Sequence, residues 1–279
     1  MLMTTLATTQ TDKGLTGPET PGRRKRRRHG ASRLLLPLGV AAVIVALWQL
    51  VTAGLGVPTY IVPSPVEVWE SLRTNWAMLV ENTWPTLIES VAGFVLGNGV
   101  AILLAVLFVH WKTAERALMP VAVFVRTIPI VAVAPVLVIM FGQGYTPKIL
   151  IAALISFFPT LVNMVKGLES VDKQSLELLR VLSASRAEVF WKVRVFASLP
   201  YLFASLKIAA GNVVIGAIVA EWIGSQQGLG YLIIQATYNF NTPLLYATMT
   251  VASVMAVVFF ALVGLVERLV VTWEAEVTA

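Results

Sequence analysis

The sequence contains no cysteine, only two histidines, and few charged side chains, with Asp, Glu, Lys and Arg together at 13%. Without cysteine there is neither a disulfide nor a thiolate metal site. His29 and His110 stand far apart and cannot assemble a metal site between them, so none is predicted. The pattern G-x-x-x-x-G-K-S/T is missing, so the chain has no P-loop to cradle a nucleotide. No set of acids falls together at one depth of an apolar run, so no catalytic residue is predicted and the chain reads as non-enzymatic. No internal repeat is visible, which counts against the inverted repeats of many secondary transporters.

What is present is apolar surface. Hydrophobic residues make up 57% of 279, and mean hydropathy is +0.78. A soluble domain sits nearer half apolar and a quarter charged, so the composition predicts an all-α, polytopic membrane protein whose first partner is the lipid bilayer. The net charge of +6 does not point to nucleic acid, because Arg23–Arg28 supply six positive charges in one block. Residues 1–33 lack apolar periodicity and are expected to form a disordered basic cytoplasmic tail. A cleaved signal peptide or a twin-arginine signal fits poorly, since the next apolar run is longer than an h-region and more runs follow.

Six apolar runs are long enough to cross a hydrocarbon core of about 30 Å. They lie near 34–55, 87–109, 120–140, 147–166, 200–222 and 245–266. Lys and Arg concentrate in the N-terminal tail, at Lys112 and Arg116, through 167–199 and at Arg268, while the loops 141–146 and 223–244 have none. The alternation predicts six spans with both termini in the cytoplasm. The transmembrane domain is therefore set at 34–270, with a cytoplasmic loop at 167–199 and a C-terminal tail at 271–279.

Two outer loops carry structure of their own. Ser64-Pro65-Val66-Glu67 has the capping-box pattern with proline at the first helical position, and Trp69, Leu72, Trp76 and Leu79 then follow on one face. An interfacial helix is expected there. In the last outer loop Leu229, Leu232, Ile233, Ala236 and Phe240 keep helical spacing in a stretch too short to cross, which predicts a re-entrant or flat-lying helix. The third run contains Pro120, Pro129 and Pro135, each expected to interrupt its hydrogen-bond ladder and so make it a pathway-lining candidate. Among ionisable residues in the spans, Arg126 and Lys207 are near enough to the cytoplasmic side to snorkel, Glu89 opens the second span, and Glu221 ends the fifth. Arg126, Pro129, Pro135, Asn212 and Glu221 are the pathway candidates.

The most unusual stretch runs from Lys173 to Gly211. It is basic, yet Leu176, Leu179 and Leu182, then Val189, Phe190 and Val193, keep helical spacing on either side of Ser183. Two short amphipathic helices hinged near Ser183-Ala184-Ser185 are predicted. This segment resembles the cytoplasmic loop of permease subunits of bacterial ABC importers. That loop reads Glu-Ala-Ala, three residues, Gly, nine residues, Ile, one residue, Leu-Pro. On that frame Glu177, Ser183, Val193 and Val195-Phe196 take the Glu, Gly, Ile and Leu-Pro positions. Leu178 and Leu179 replace both alanines, Ser183 the glycine, and Phe196 the proline.

The resemblance implies a non-catalytic membrane subunit that binds no cofactor, with ATP held by a cytoplasmic ATPase dimer. Glu177, Leu178, Leu179, Ser183, Ala184, Ser185, Arg186 and Val193 would couple to that ATPase. It further implies a second permease subunit, identical or related, an extracytoplasmic solute-binding protein, and a place in the bacterial plasma membrane. In the family, segments similar to Gly228-Leu229-Gly230 sit beside an outer gate; a plain structural cap fits the residues equally well. The stretches 63–69, 126–144, 157–168 and 216–233 resemble the nitrate, taurine, alkanesulfonate and bicarbonate importers, nearest to permeases for thiamine pyrimidine precursors and riboflavin. An ion-coupled secondary transporter acting without an ATPase stays open as the alternative function.

Overall fold

The computed structural model describes residues 30–273, and side chains from residue 36 onward. Most of the tail expected over 1–33, and the end of 271–279, lie outside the described residues. Among the described residues all regular structure is helical, with α1 at Gly30–Gly54, α2 at Pro65–Thr74, α3 at Trp76–His110 and α4 at Lys112–Thr127. Next come α5 at Ile130–Phe141, α6 at Tyr145–Glu169, α7 at Lys173–Val181 and α8 at Arg186–Val189. A π-helical turn over Phe190–Arg194 leads into α9 at Val195–Glu221, followed by α10 at Leu229–Tyr238 and α11 at Thr242–Val270. The chain divides within α1, with residues up to Ala46 in one unit and those from Leu47 in the other.

Five helices are long and apolar enough to cross a bilayer, and six if α4 and α5 count as one span. That pair bends by 97° between Thr127 and Ile130, so of the three interruptions expected in the third span one is a sharp break. Pro120 and Pro135 do not interrupt their helices; the break is at Pro129 alone. Proline pushes the residue before it out of the α region, and Ile128 is extended at φ −71°, ψ 124°. The second span is also longer than its apolar run. Nothing stops the helix between Trp76 and residue 87, so α3 runs 35 residues, about 52 Å. Trp76 and Leu79 consequently belong to α3, and α2, at the place where an interfacial helix is expected, ends at Thr74.

The centre of the larger unit is α3 against α6 against α9. In lipid, helices gain little from hiding apolar side chains, so close backbone approach through small residues does more. On α3, Gly93, Gly97, Ala101 and Ala105 recur every fourth residue and are all buried. A methyl group on Gly97 would lie 2.3 Å from the Ala153 carbonyl oxygen of α6, so only glycine permits this spacing. On α6, Gly167 meets α9 the same way, with Tyr201 Cβ 2.8 Å from where its own Cβ would be. One buried polar pair crosses this seam, Thr160 donating to Asn98 Oδ1 at 2.5 Å, whereas the buried Ser90 hydroxyl of α3 has no hydrogen-bond partner. Toward the α7 end, Phe108, Leu161, Leu168 and Phe190 fill the space between the helices.

Candidate functional site

Three places on this scaffold hold the residues singled out by sequence. The first is the break in the third span. There Arg126, Pro129 and Asn212 line one cavity of about 540 Å³ with Ile130, Phe157 and Phe158. Arg126 ends α4, and its guanidinium carbon stands 4.6 Å from the centre of the Phe158 ring, a cation–π distance. The wall is mostly apolar, with Arg126 and Asn212 as its polar fixtures. Pro135 and Glu221 are not among the lining residues of this cavity.

Glu221 belongs to the second place, at the opposite end of α9 from the hairpin. It is 1% exposed, accepting from the Thr86 hydroxyl at 2.6 Å and from the Gly230 N–H at 2.5 Å. Thr86 in turn accepts from the Leu229 N–H at 2.9 Å, and Asn82 Oδ1 accepts from the Gly228 N–H at 2.9 Å. The first N–H groups of a helix have no partner inside it. Here three consecutive ones are met by side chains from α3 and α9, and α10 is clamped at its start. Gly228 has φ +112° and its Cβ would fall 2.2 Å from Glu221 Oε1, so both conformation and space demand glycine. Fully buried Glu89 lies beside the clamp, its Oε1 3.1 Å from Lys148 Nζ, and Lys148 donates to Ser225 of the adjoining loop at 2.8 Å.

Sequence reading named Glu221 and Gly228–Gly230 but missed Asn82, Thr86 and Lys148. The signal was there. Residues 82, 86 and 89 fall on one helical face, but a span started at 87 leaves the first two outside the membrane helix.

The third place is the hairpin. Asp172 caps α7, accepting from the Ser175 hydroxyl at 2.6 Å and the Ser175 N–H at 2.7 Å, and these bonds, the hydroxyl first, hold its carboxyl below the ordinary range. Ser183 follows the end of α7 with φ +57°, the left-handed region, so serine does adopt the conformation for which glycine is best suited. Ser185 and Glu188 form a complete capping box that starts α8. The second limb is not a separate short helix as expected, since α8 passes through the π turn into α9 without a break. The loop set at 167–199 correspondingly includes the end of α6 and the first turn of α9. Glu177, Leu178 and Leu179 sit on α7, Ser183 to Ser185 in the hinge, Arg186 at the start of α8, and Val193 in the π turn. Leu178 is 60% and Val181 79% exposed, so α7 presents an uncovered apolar edge.

Residues 97–273 match the family described as the binding-protein-dependent transport system inner membrane component. The riboflavin transport system permease protein RibX of Chloroflexus aurantiacus is 34% identical over 260 residues, covering 92% of this chain and 96% of that protein. The formylaminopyrimidine transport permease protein ThiX of Halalkalibacterium halodurans is 31% identical over 233 residues, 83% of this chain and 93% of its own. Among solved structures, an inward-facing form of the MetNI methionine ABC transporter aligns with 70% of this chain and 97% of its own chain, at a TM-score of 0.59 and 19% identity, which shows a common fold. Family membership implies an ATPase and a solute-binding protein as partners. The chain thus belongs to the inner membrane components of binding-protein-dependent transport systems, as a multi-pass permease subunit of an ABC importer.

Proposed function

We propose that this permease carries a small heterocyclic vitamin or vitamin precursor, of the riboflavin or thiamine-pyrimidine kind, ahead of sulfonates, taurine or nitrate. The observation that carries the reading is the cavity at the broken span, where the Arg126 guanidinium stands over Phe158 and Asn212 lines the same space. A flat ring with carbonyl and ring-nitrogen acceptors suits such a wall: it stacks on an aromatic face and accepts from guanidinium and amide N–H groups. The names of RibX and ThiX support the same class. In this reading both termini are cytoplasmic, two permease subunits face one another, and the binding protein delivers solute at the α10 end. The ATPase dimer docks on α7 through Leu178, Leu179 and Glu177, with Ser183, Ala184, Ser185, Arg186 and Val193 passing its motion to α9. Gly228, Leu229 and Gly230 gate the outer end.

The test is uptake into proteoliposomes holding the permease with its ATPase and binding protein. Labelled riboflavin, formylaminopyrimidine, taurine and an alkanesulfonate are offered in turn, with and without ATP. The expected result is ATP-dependent uptake of a heterocycle, weakened in Arg126→Ala while the complex still assembles. Uptake of taurine or sulfonate alone would overturn the substrate class, and uptake by the permease with no ATPase present would overturn the mechanism.

A further inference from the structure

Between α7, the start of α8, the π turn and the last residue of α3 lies a second cavity, of about 490 Å³. Its polar wall is made by Arg180, Arg186, Arg194 and His110, and its apolar wall includes Leu176 and Phe190. Three arginines from three different elements thus line one hollow, Arg180 and Arg186 exposed and Arg194 partly buried. Among the described residues, no carboxylate stands within ion-pair distance of any of the three; Lys192, by contrast, is taken by Glu188 at 3.1 Å. Arg194 makes one long contact of 3.5 Å to the Leu168 carbonyl. Bringing three cations together without counter-charge is unfavourable unless an anion completes the set.

The proposed ATPase-docking edge does not account for this hollow. Leu176 and Arg180, one turn apart, line the cavity, whereas Leu178 lies about half a turn and Val181 about a third of a turn away around α7, and both are exposed. On α7 the hollow and the exposed Leu178 are thus on opposite sides, although Ala184 and Arg186 of the proposed coupling set also line the hollow. The cavity is also at the level of a membrane interface, because His110 ends the apolar α3 and the exposed Trp111 follows it. Basic pockets at that depth are suited to lipid headgroup phosphates. Guanidinium forks match a phosphate in geometry as well as charge.

We infer that this cavity is a binding site for a phosphate-bearing anion, held by Arg180, Arg186 and Arg194, which ties the inner face of α7 to the base of α9. The group is either the headgroup of an anionic phospholipid or a free phosphate compound from the water phase. Its placement as cytoplasmic rests on the proposed orientation, but its binding does not. The experiment is therefore done on the full chain in detergent, where orientation and transport play no part. Binding of short-chain phosphatidylglycerol and of inorganic phosphate is measured by calorimetry. The proteins are the unaltered chain, the triple variant R180Q/R186Q/R194Q, and a charge-matched control K173Q/R116Q/K192Q whose changes lie outside the cavity wall. Circular dichroism and a monodisperse elution profile establish that each is folded.

The expected result is binding by the unaltered chain and the control, with a loss of about tenfold or more in the triple variant, the lower bound for one charge-assisted contact removed. Retention of the phospholipid probe alone identifies a lipid headgroup, and binding of inorganic phosphate identifies a soluble source. Equal binding by triple variant and control would overturn the proposal, as would no binding of either probe to the unaltered chain. Should the triple variant lose only its grip on the ATPase, with both probes bound as before, the arginines belong to the docking surface and the proposal fails. If the triple variant is misfolded, Arg180→Gln alone, on the exposed helix α7, must show the loss.

Discussion

Thr86 is the residue on which the clamp at α10 turns, because one hydroxyl serves both sides of it. It gives its proton to Glu221 and takes one from Leu229 N–H, and it is fully buried, as is Leu229. Thr86→Val keeps the shape and removes both bonds. Stranding the buried Leu229 N–H costs about 1–3 kcal/mol, and leaving the buried Glu221 oxygen without its donor costs about as much again. The two sum to about 2 kcal/mol at the low end. Thr86→Ser keeps the hydroxyl and loses one methyl group, about 0.8 kcal/mol. The two variants therefore differ by about 1.2 kcal/mol even at the low end, roughly an eightfold difference in local opening. Amide hydrogen exchange of Leu229 to Leu232 reads this opening directly. The expected order is fastest in Thr86→Val, with Thr86→Ser near the unaltered protein. If serine and valine exchange alike, the hydroxyl does not hold the clamp, and α10 is positioned by packing alone.

Gly97→Ala forces a methyl group to within 2.3 Å of a backbone carbonyl and should cost about 1–3 kcal/mol, whereas Gly99→Ala meets nothing within 4 Å and should gain up to about 1 kcal/mol; unfolding in detergent gives both, and equal effects would refute the α3–α6 geometry. Ser183→Gly relieves the left-handed hinge and should stabilise it, by roughly 1 kcal/mol, while Ser183→Val should destabilise it by more; exchange at Ala184 and Ser185 gives the sign. Glu67 accepts from the Thr59 hydroxyl at 2.7 Å and from the Ser64 N–H at 2.7 Å, which lower its pKa, the Thr59 bond most. A lowered folded pKa means that the cap's contribution is complete above the ordinary carboxylate value and is lost as pH falls through the lowered one. Thr59→Val should move this acid transition to higher pH, followed by exchange across α2, and an unmoved midpoint would remove Thr59 from the cap.

The spans were legible because apolar runs of about 20 residues have few other uses. The caps were legible too: Ser64-Pro65-Val66-Glu67 became a helix start with every bond of the box formed. What escaped was whatever depends on which helix lies opposite. Pro120, Pro129 and Pro135 look alike along the chain, and only Pro129 breaks a helix. The glycines of α3 read as weak points of a helix until α6 is seen against them. Asn82, Thr86 and Lys148 form a set only once α10 is folded back onto them.

The π turn at Phe190–Arg194 has a consequence for how far a push can travel. From Arg186 to Glu221 the chain is one rod of 36 residues, about 54 Å, with no joint along it. Its near end carries the hinge serine's capping partner, and its far end grips the Gly230 N–H. Such a rod is built like an axle: a turn applied at Arg186 would be carried to Glu221. A single overwide coil near its foot is where that torque would first be taken up.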